Sequence, residues 1–321
     1  MRIGIVDCGT NTFNLLVAEV ENGRWSHVFT GKAAVRLGKG GFHQGIIKPD
    51  RLARGIDVLL SHRETMINFG VERAAIFATA AVREASNSSV FLRKAHEVTG
   101  IEVIVIDGMR EAELIFEGVR QTFPNDEGTY TVMDIGGGST EFIIGNAEGI
   151  LWKQSFPLGV SRIQEFLNPS DILTDDETAR LTQSFAKVLL PLKEALERHS
   201  SHTLIGASGS FDTLTAMIAA ARRQGYHPLS NPIALEDFKR MHRILTSSTF
   251  EERLALPGML PMRADTMPLA STLIDYVIQA FGMTTLIQSS YALKEGALQC
   301  IIEGRLRATN FKTRFTHDDD N

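Results

Sequence analysis

Cysteine is nearly absent: Cys8 and Cys300 stand alone at opposite ends of a 321-residue chain. They form no CxxC or zinc-ligand spacing, so a disulfide framework and a thiolate metal centre are excluded, and reduced thiols in the cytoplasm are the expectation. An excess of basic charge is also missing. The 33 Lys and Arg face 38 Asp and Glu, a formal net charge of −5, which argues against general nucleic-acid binding. A polyanionic substrate would have to be met by local cations and a metal ion rather than by the overall field. Long hydrophobic runs are lacking too. The apolar stretch at 3–6 is too short for a signal peptide or a membrane span, and Asp7 interrupts it, so no membrane association is expected. What remains, 43% hydrophobic and 22% charged residues, suits a globular protein long enough for two domains.

Against this background two short loops stand out. One is Asp7-Cys8-Gly9-Thr10-Asn11-Thr12; the other is Asp134-Ile135-Gly136-Gly137-Gly138-Ser139-Thr140-Glu141. Each lies between two apolar β-like runs, so each predicts a strand, a tight glycine turn and a returning strand. Glycine accepts the backbone conformations of such turns and lets N–H groups approach a ligand closely. A turn of this kind forms a nest for phosphate oxygens, and its carboxylate suits a divalent metal. Two such loops suggest duplicated halves facing each other across a phosphate-binding cleft.

The rest of the chain reads as α/β, occurring twice. Strands are expected at 2–6, 13–20 and 25–31, with Asn22-Gly23 as a hairpin turn, then a helix at 50–69, a strand at 74–78, a helix at 87–98 capped by Asn87 or Ser88, a strand at 101–106 and a helix at 110–122. The polar turn 124–128 marks the expected boundary between domains 1–125 and 126–292. The second half repeats the meander at 130–134, 142–144 and 151–156. Helices follow at 159–167 and 174–199, the latter opened by a Thr174–Glu177 capping box. A strand at 203–205, helices at 211–222, 235–245 and 264–281, a strand at 285–288 and a helix at 293–303 complete it, the last packing back on the first domain. The tail from Thr316 is polar and expected to fray.

Several phosphate chemistries are excluded by spacing. A cysteine phosphatase needs C-x5-R, but Asn14 stands where the Arg should be; Cys8 is expected to be a small buried residue. A haloacid-dehalogenase nucleophile wants a second Asp two positions after Asp7, where Gly9 lies. Gly31-Lys32 and Gly38-Lys39 lack the Ser or Thr of a Walker A loop.

Five stretches, in order, resemble the exopolyphosphatase/guanosine pentaphosphate phosphohydrolase (Ppx/GppA) family. They are 6–15 (Val6-Asp7-Cys8-Gly9-Thr10-Asn11-Thr12-Phe13-Asn14-Leu15), 78–87 (with Arg83-Glu84-Ala85-Ser86-Asn87), 107–115 (Asp107-Gly108-Met109-Arg110-Glu111-Ala112-Glu113-Leu114-Ile115), 132–141 and 206–209; Leu293-Lys294-Glu295-Gly296 is also typical. The resemblance implies two duplicated actin-like, ribonuclease H-like domains facing a central cleft, in the short form without the all-helical region of longer relatives. It implies hydrolysis of a terminal phosphoanhydride with Mg²⁺ or a similar divalent cation. Two departures are visible: Cys8 replaces an aliphatic residue, and Arg110 replaces a second acidic residue before Glu111, placing a cation beside the lone carboxylate.

The residues divide into roles. Gly9, Thr10, Asn11 and Thr12, with Gly136, Gly137, Gly138, Ser139 and Thr140, can donate to phosphate oxygens. Asp134, Glu141 and Asp7 suit a hard metal ion. Arg83 suits a bidentate phosphate clamp; Lys32, Arg36 and Lys39 are further candidate cations. The sequence alone ranks Glu111, Glu113 and Glu117 equally as the group that activates water; the resemblance selects Glu111, with Glu141 beside it in catalysis. Ser208 and Gly209 occupy the adenosine position of superfamily relatives, or cap the next helix. The substrates implied are inorganic polyphosphate or guanosine pentaphosphate (pppGpp). A binding-only nucleotide or alarmone sensor is the non-enzymatic alternative, and the helix at 264–281 is a candidate homodimer contact.

Overall fold

The computed structural model describes residues 1–123 and 128–311. Most of the expected boundary turn (124–127) and the polar tail from Thr316 lie outside the described residues. The strands are β1 (Arg2–Cys8), β2 (Thr12–Glu21), β3 (Arg24–Ala34), β4 (Arg73–Ala78), β5 (Val103–Val105), β6 (Tyr130–Ile135), β7 (Thr140–Asn146), β8 (Gly149–Phe156), β9 (Thr203–Ala207), β10 (Ser230–Ile233), β11 (Thr285–Ser289) and β12 (Thr309–Asn310). The chain forms two compact units. One comprises Met1–Gly118 and the residues from Leu293 onward; the other is Val119–Ala292.

In the first unit β3, β2 and β1 form an antiparallel meander, and β4 joins β1 in parallel. The outer edge of β4 is shared. β5 pairs in parallel with Ile76–Ala78, while β12 pairs antiparallel with Arg73 and Ala74. Asn22 and Gly23 both take positive φ, 50° and 76°, as a two-residue hairpin requires. Alternation along β1 and β2 sends Val6, Cys8, Phe13, Leu15 and Val17 into one core with Leu52, Leu59, Met66 and Phe91. The same alternation puts Asp7 on the other face of the sheet. The helix Leu293–Ile302 packs on β1 and β2.

The second unit repeats the plan. β8, β7 and β6 form the meander, β9 joins β6 in parallel, β11 joins β9 in parallel, and β10 closes the edge antiparallel. The repeat is residue-for-residue through the meander. Asp7 corresponds to Asp134, Gly9 to Gly136, Thr12 to Ser139 and Asn14 to Glu141. The register shift at Val17/Ala18 in β2 recurs at Ile144/Gly145 in β7. This is the duplicated α/β plan that the resemblance implied.

The departures from expectation are local. The helix expected at 174–199 is two, Asp175–Val188 and Leu190–His199, because Leu189 leaves the helical conformation and Pro191 sits in the first turn of the second. The Thr174–Glu177 capping box is present in both directions. Asn87 precedes the helix Ser88–Thr99 but does not cap it with its side chain. Its amide instead takes the N–H of Ile47 and donates to the Ile47 carbonyl, both at 2.9 Å. Two short helices, Ala80–Arg83 and Phe250–Leu254, and the edge strand β10 were not foreseen.

Candidate active site

In the first unit the β1–β2 turn is closed by Gly9 N–H donating to the Thr12 carbonyl at 3.1 Å. A side chain at Gly9 would bring its Cβ within 3.0 Å of that same oxygen. The turn is braced from behind: the Asn11 carbonyl accepts from Val35 and Arg36 N–H, and the Thr10 carbonyl from Gly38 N–H. Asp7, next to last in β1, lies opposite Asn14, whose amide donates to Asp7 Oδ2 at 3.0 Å. Burial pushes the Asp7 carboxyl up to about 6; Glu295 adds to the rise, while the Asn14 hydrogen bond, Lys294 and Lys32 oppose it. Cys8 is buried, and burial together with Asp7 holds its thiol well above the ordinary range. A thiol kept protonated and closed off from solvent is not a nucleophile.

Arg83 ends the short helix Ala80–Arg83, just after β4, and Glu111 lies in the first turn of the helix Gly108–Val119. Arg83 Nη1 donates to Glu111 Oε2 at 2.9 Å and to the Ile106 carbonyl at 2.9 Å. The carboxylate is therefore gripped by a cation that is itself anchored to the backbone. Arg110, expected beside Glu111, instead reaches Glu113 Oε2 at 2.5 Å. Lys32 and Lys39 are exposed and Arg36 is half-buried with φ 53°.

The second unit builds the matching turn. Gly136 N–H donates to the Ser139 carbonyl at 3.0 Å, and a Cβ at Gly136 would lie 2.9 Å from it. The Gly136 and Gly137 carbonyls receive N–H groups from the start of the helix Val160–Leu167, and Arg162 Nε donates to the Gly138 carbonyl at 2.7 Å. Gly159 is pressed against the backbone of Gly137 and Gly138, where a Cβ would be 2.3 Å away. Thr140 is tied to the Leu158 carbonyl by its hydroxyl. The loop is thus rigid with most of its carbonyls bound elsewhere.

Asp134 and Glu141 are cross-strand partners, both buried. Ser155 Oγ donates to Glu141 Oε1 at 2.6 Å, and Ser208 Oγ to Asp134 Oδ2 at 2.6 Å. Ser208 does not cap its helix; the cap position is Ala207, without a side-chain bond. Ser208 holds φ 66°, a left-handed conformation rare for serine, and Gly209 follows it into the helix. Gly206, just before, leaves room for the Phe211 ring, which a Cβ would strike at 2.0 Å.

One residue beside Asp134 went unforeseen. Arg263 is 93% buried; its Nη1 lies 3.4 Å from Ser210 Oγ, and Asp212, Asp134 and Asp265 all act on its charge. Burial lowers its pKa nonetheless. It stands in a loop with no recognisable pattern, so no local signal could have found it.

Among the described residues no three His, Cys, Asp or Glu side chains converge into a ready-made metal cage. The donor set at Asp134 and Glu141 is all oxygen, with two carboxylates in register. That fits a magnesium-like ion, which is commonly held by one or two carboxylates while water and substrate phosphates complete its shell. No described helix is long and apolar enough to cross a membrane.

An exopolyphosphatase from Cytophaga hutchinsonii is 40% identical, with a TM-score of 0.92 over 95% of this chain and 98% of that one. The PPX-GPPA enzyme of Aquifex aeolicus is 26% identical with a TM-score of 0.77, covering 93% and 99% of the two chains. Among curated proteins, the guanosine-5'-triphosphate,3'-diphosphate pyrophosphatase of Aliivibrio fischeri is 28% identical over 298 residues, 93% of this chain. The chain spans 59% of the length of that relative. The model of the Ppx/GppA phosphatase family matches residues 16–303, and with so much of the chain covered, the protein belongs to that family.

Proposed function

We propose that the protein is a cytoplasmic exopolyphosphatase, removing terminal orthophosphate from inorganic polyphosphate. The observation that carries this reading is the Arg83–Glu111 pair: a carboxylate held in one orientation at 2.9 Å, in the same unit as a rigid phosphate-type turn. Phosphoryl transfer demands little covalent chemistry of a protein. It needs an aligned nucleophile and charge stabilisation on the equatorial oxygens.

In this reading Glu111 orients a water molecule and receives its proton as the water oxygen bonds to the terminal phosphorus. The bridging P–O bond breaks, its electron pair stays with the shortened chain, and orthophosphate is released. Gly9 and Gly136 spend their N–H groups on closing their turns, and Thr140 spends its hydroxyl on the Leu158 carbonyl; phosphate oxygens are bound in the first unit by the N–H groups of Thr10 to Thr12 with the Thr10 and Thr12 hydroxyls, and in the second by those of Gly137 to Ser139 with the Ser139 hydroxyl. Arg83 divides its guanidinium between Glu111 and the substrate. In the second unit Asp134 and Glu141 would hold a divalent cation, and in the first Asp7 would be the carboxylate available to one; when bound, such an ion would neutralise phosphate charge. Ser208 orients Asp134, and Gly209 opens the adjoining helix.

A second reading, removal of the 5′ γ-phosphate of pppGpp, is favoured by the similarity to the Aliivibrio guanosine-5'-triphosphate,3'-diphosphate pyrophosphatase. Both substrates end in the same phosphoanhydride, so the residues above serve either. The test is phosphate release from each substrate, with Mg²⁺ and with EDTA, by wild type and Glu111→Gln. Loss of general base action lowers kcat by about 10²–10⁴-fold. Equal rates in the two proteins would remove Glu111 from the reaction. Tight nucleotide binding without turnover of either substrate would replace the enzyme by a sensor.

A further inference from the structure

The helix Leu293–Ile302 brings the chain back into the first unit and packs on β1 and β2, the strands that carry the Asp7 turn. It also crosses the helix that presents Glu111, and it does so backbone to backbone. A Cβ built at Gly296 would lie 1.8 Å from the Leu114 carbonyl oxygen and 2.8 Å from the Gly118 nitrogen. Both are main-chain atoms, so no rotamer change relieves the overlap. Leu114 and Gly118 follow Glu111 by one and two helical turns, so the crossing lies along Glu111's own side of its helix. One turn beyond Gly296, Cys300 is fully buried, and its thiol senses Arg110 and Glu117 of that same helix. Further on, Arg305 Nη2 reaches Glu117 Oε2 at 2.9 Å. At the opposite end, Lys294 Nζ pairs with the buried Glu295 carboxylate at 2.7 Å, and both charges act on Asp7.

We propose that Gly296 is a positioning residue for the hydrolytic reaction: by admitting the Leu114 carbonyl against its α-carbon, it sets the helix Gly108–Val119 at the depth where Glu111 meets Arg83. The inference rests on Glu111 acting in that reaction. An ordinary contact begins near 3.4 Å, so a methyl group at position 296 must part the two helices by about 1.5 Å, in an interior too close-packed to absorb it silently. Misplacing a reacting group by ~1 Å costs on the order of 10²-fold in rate.

The experiment compares Gly296→Ala with Cys300→Leu, a milder wedge that decides the matter if the first variant does not fold. Each is made in the wild-type background and in Glu111→Gln. Expected are a kcat lower by about 10²-fold with KM changed less than about threefold, and no further loss when Glu111 is already Gln. A folded Cys300→Leu or Gly296→Ala protein with wild-type kcat overturns the proposal, and so does an equal loss in both backgrounds, which is the mark of a structural defect alone. Hydrogen exchange without substrate gives an independent reading. The amides of Ala112 to Ile115 exchange faster in the wedged variants if the crossing holds that helix; unchanged exchange refutes it. Should wild type turn over neither polyphosphate nor pppGpp, the assignment of function falls while the exchange data still decide the crossing.

Discussion

Replacing Asp7 by Asn should stabilise the protein in the absence of divalent cations, and only above a definable pH. The Asp7 carboxyl is raised by burial from 3.8 to about 6. The folded state therefore holds this proton more tightly than the unfolded state. As pH rises from about 4 to about 6, the unfolded chain releases it first, so folding stability falls across that window and the full cost is present above it. A rise of this size corresponds to ~3 kcal/mol, and the residual solvent contact of the side chain reduces that to about 1–2 kcal/mol. Asn cannot ionise, yet its oxygen still accepts the Asn14 amide that Asp7 accepts at 3.0 Å. The assay is urea unfolding in EDTA, followed by Trp25, which lies in the first unit, in a Trp152→Phe background that silences the tryptophan of the second. Asp7→Asn should exceed the parent by about 1–2 kcal/mol at pH 7.5 and match it near pH 4. A less stable variant at pH 7.5, or an advantage that persists unchanged at pH 4, would refute the reasoning.

Two further perturbations separate rate from stability. Arg83→Lys should lower kcat by about 10–100-fold, because Nη1 alone makes both bonds, to Glu111 and to the Ile106 carbonyl, and an ammonium so engaged has no second guanidinium nitrogen to offer the substrate of the proposed reaction; steady-state rates on polyphosphate check it, and an unchanged kcat would free Glu111 from this partner. Thr174→Ala removes the Thr174 hydroxyl that accepts from Glu177 N–H and should cost about 1 kcal/mol with no change in rate; unfolding followed by Trp152 measures it, and no loss would mean the capping box contributes nothing.

The sequence made the turns legible because their requirements are local. A glycine whose Cβ would lie about 3 Å from a carbonyl oxygen, a carboxylate near a strand end and an Asn-Gly pair all leave their mark within a few residues. The choice among three glutamates left no such mark. Glu111, Glu113 and Glu117 lie on one short helix, and what distinguishes them is which arginine each meets: Arg83, Arg110 and Arg305 respectively. Only Arg110 is a sequence neighbour, and it is the one that misled, since it turns to Glu113 rather than to Glu111. Arg263 was hidden for the same reason, its surroundings being assembled from the strand of Asp134, the helix of Asp212 and its own loop. β10 was missed because Pro232 reads as a strand breaker, and an edge strand tolerates it. The break at Leu189, by contrast, carried a usable signal in Pro191 that a long run of helix formers obscured.

The duplicated turns also show one backbone geometry built with two different charge patterns. Their backbones close with the same hydrogen bond, Gly9 to Thr12 and Gly136 to Ser139, and their strands bulge at the same place. They differ at the residue facing the aspartate. Asp7 faces Asn14, an amide that satisfies it without adding charge; Asp134 faces Glu141, a second buried carboxylate. Like charges directly across a strand pair oppose folding, and burial deepens the penalty. The Ser155 and Ser208 hydroxyls soften it by donating to Glu141 and Asp134, and Arg263 places a cation nearby. The pairing favours the second turn as the stronger seat for a divalent ion in the proposed reaction, because there a cation offsets two charges at once. At Asp7 it would offset only one, and that one is already close to taking up a proton near neutral pH.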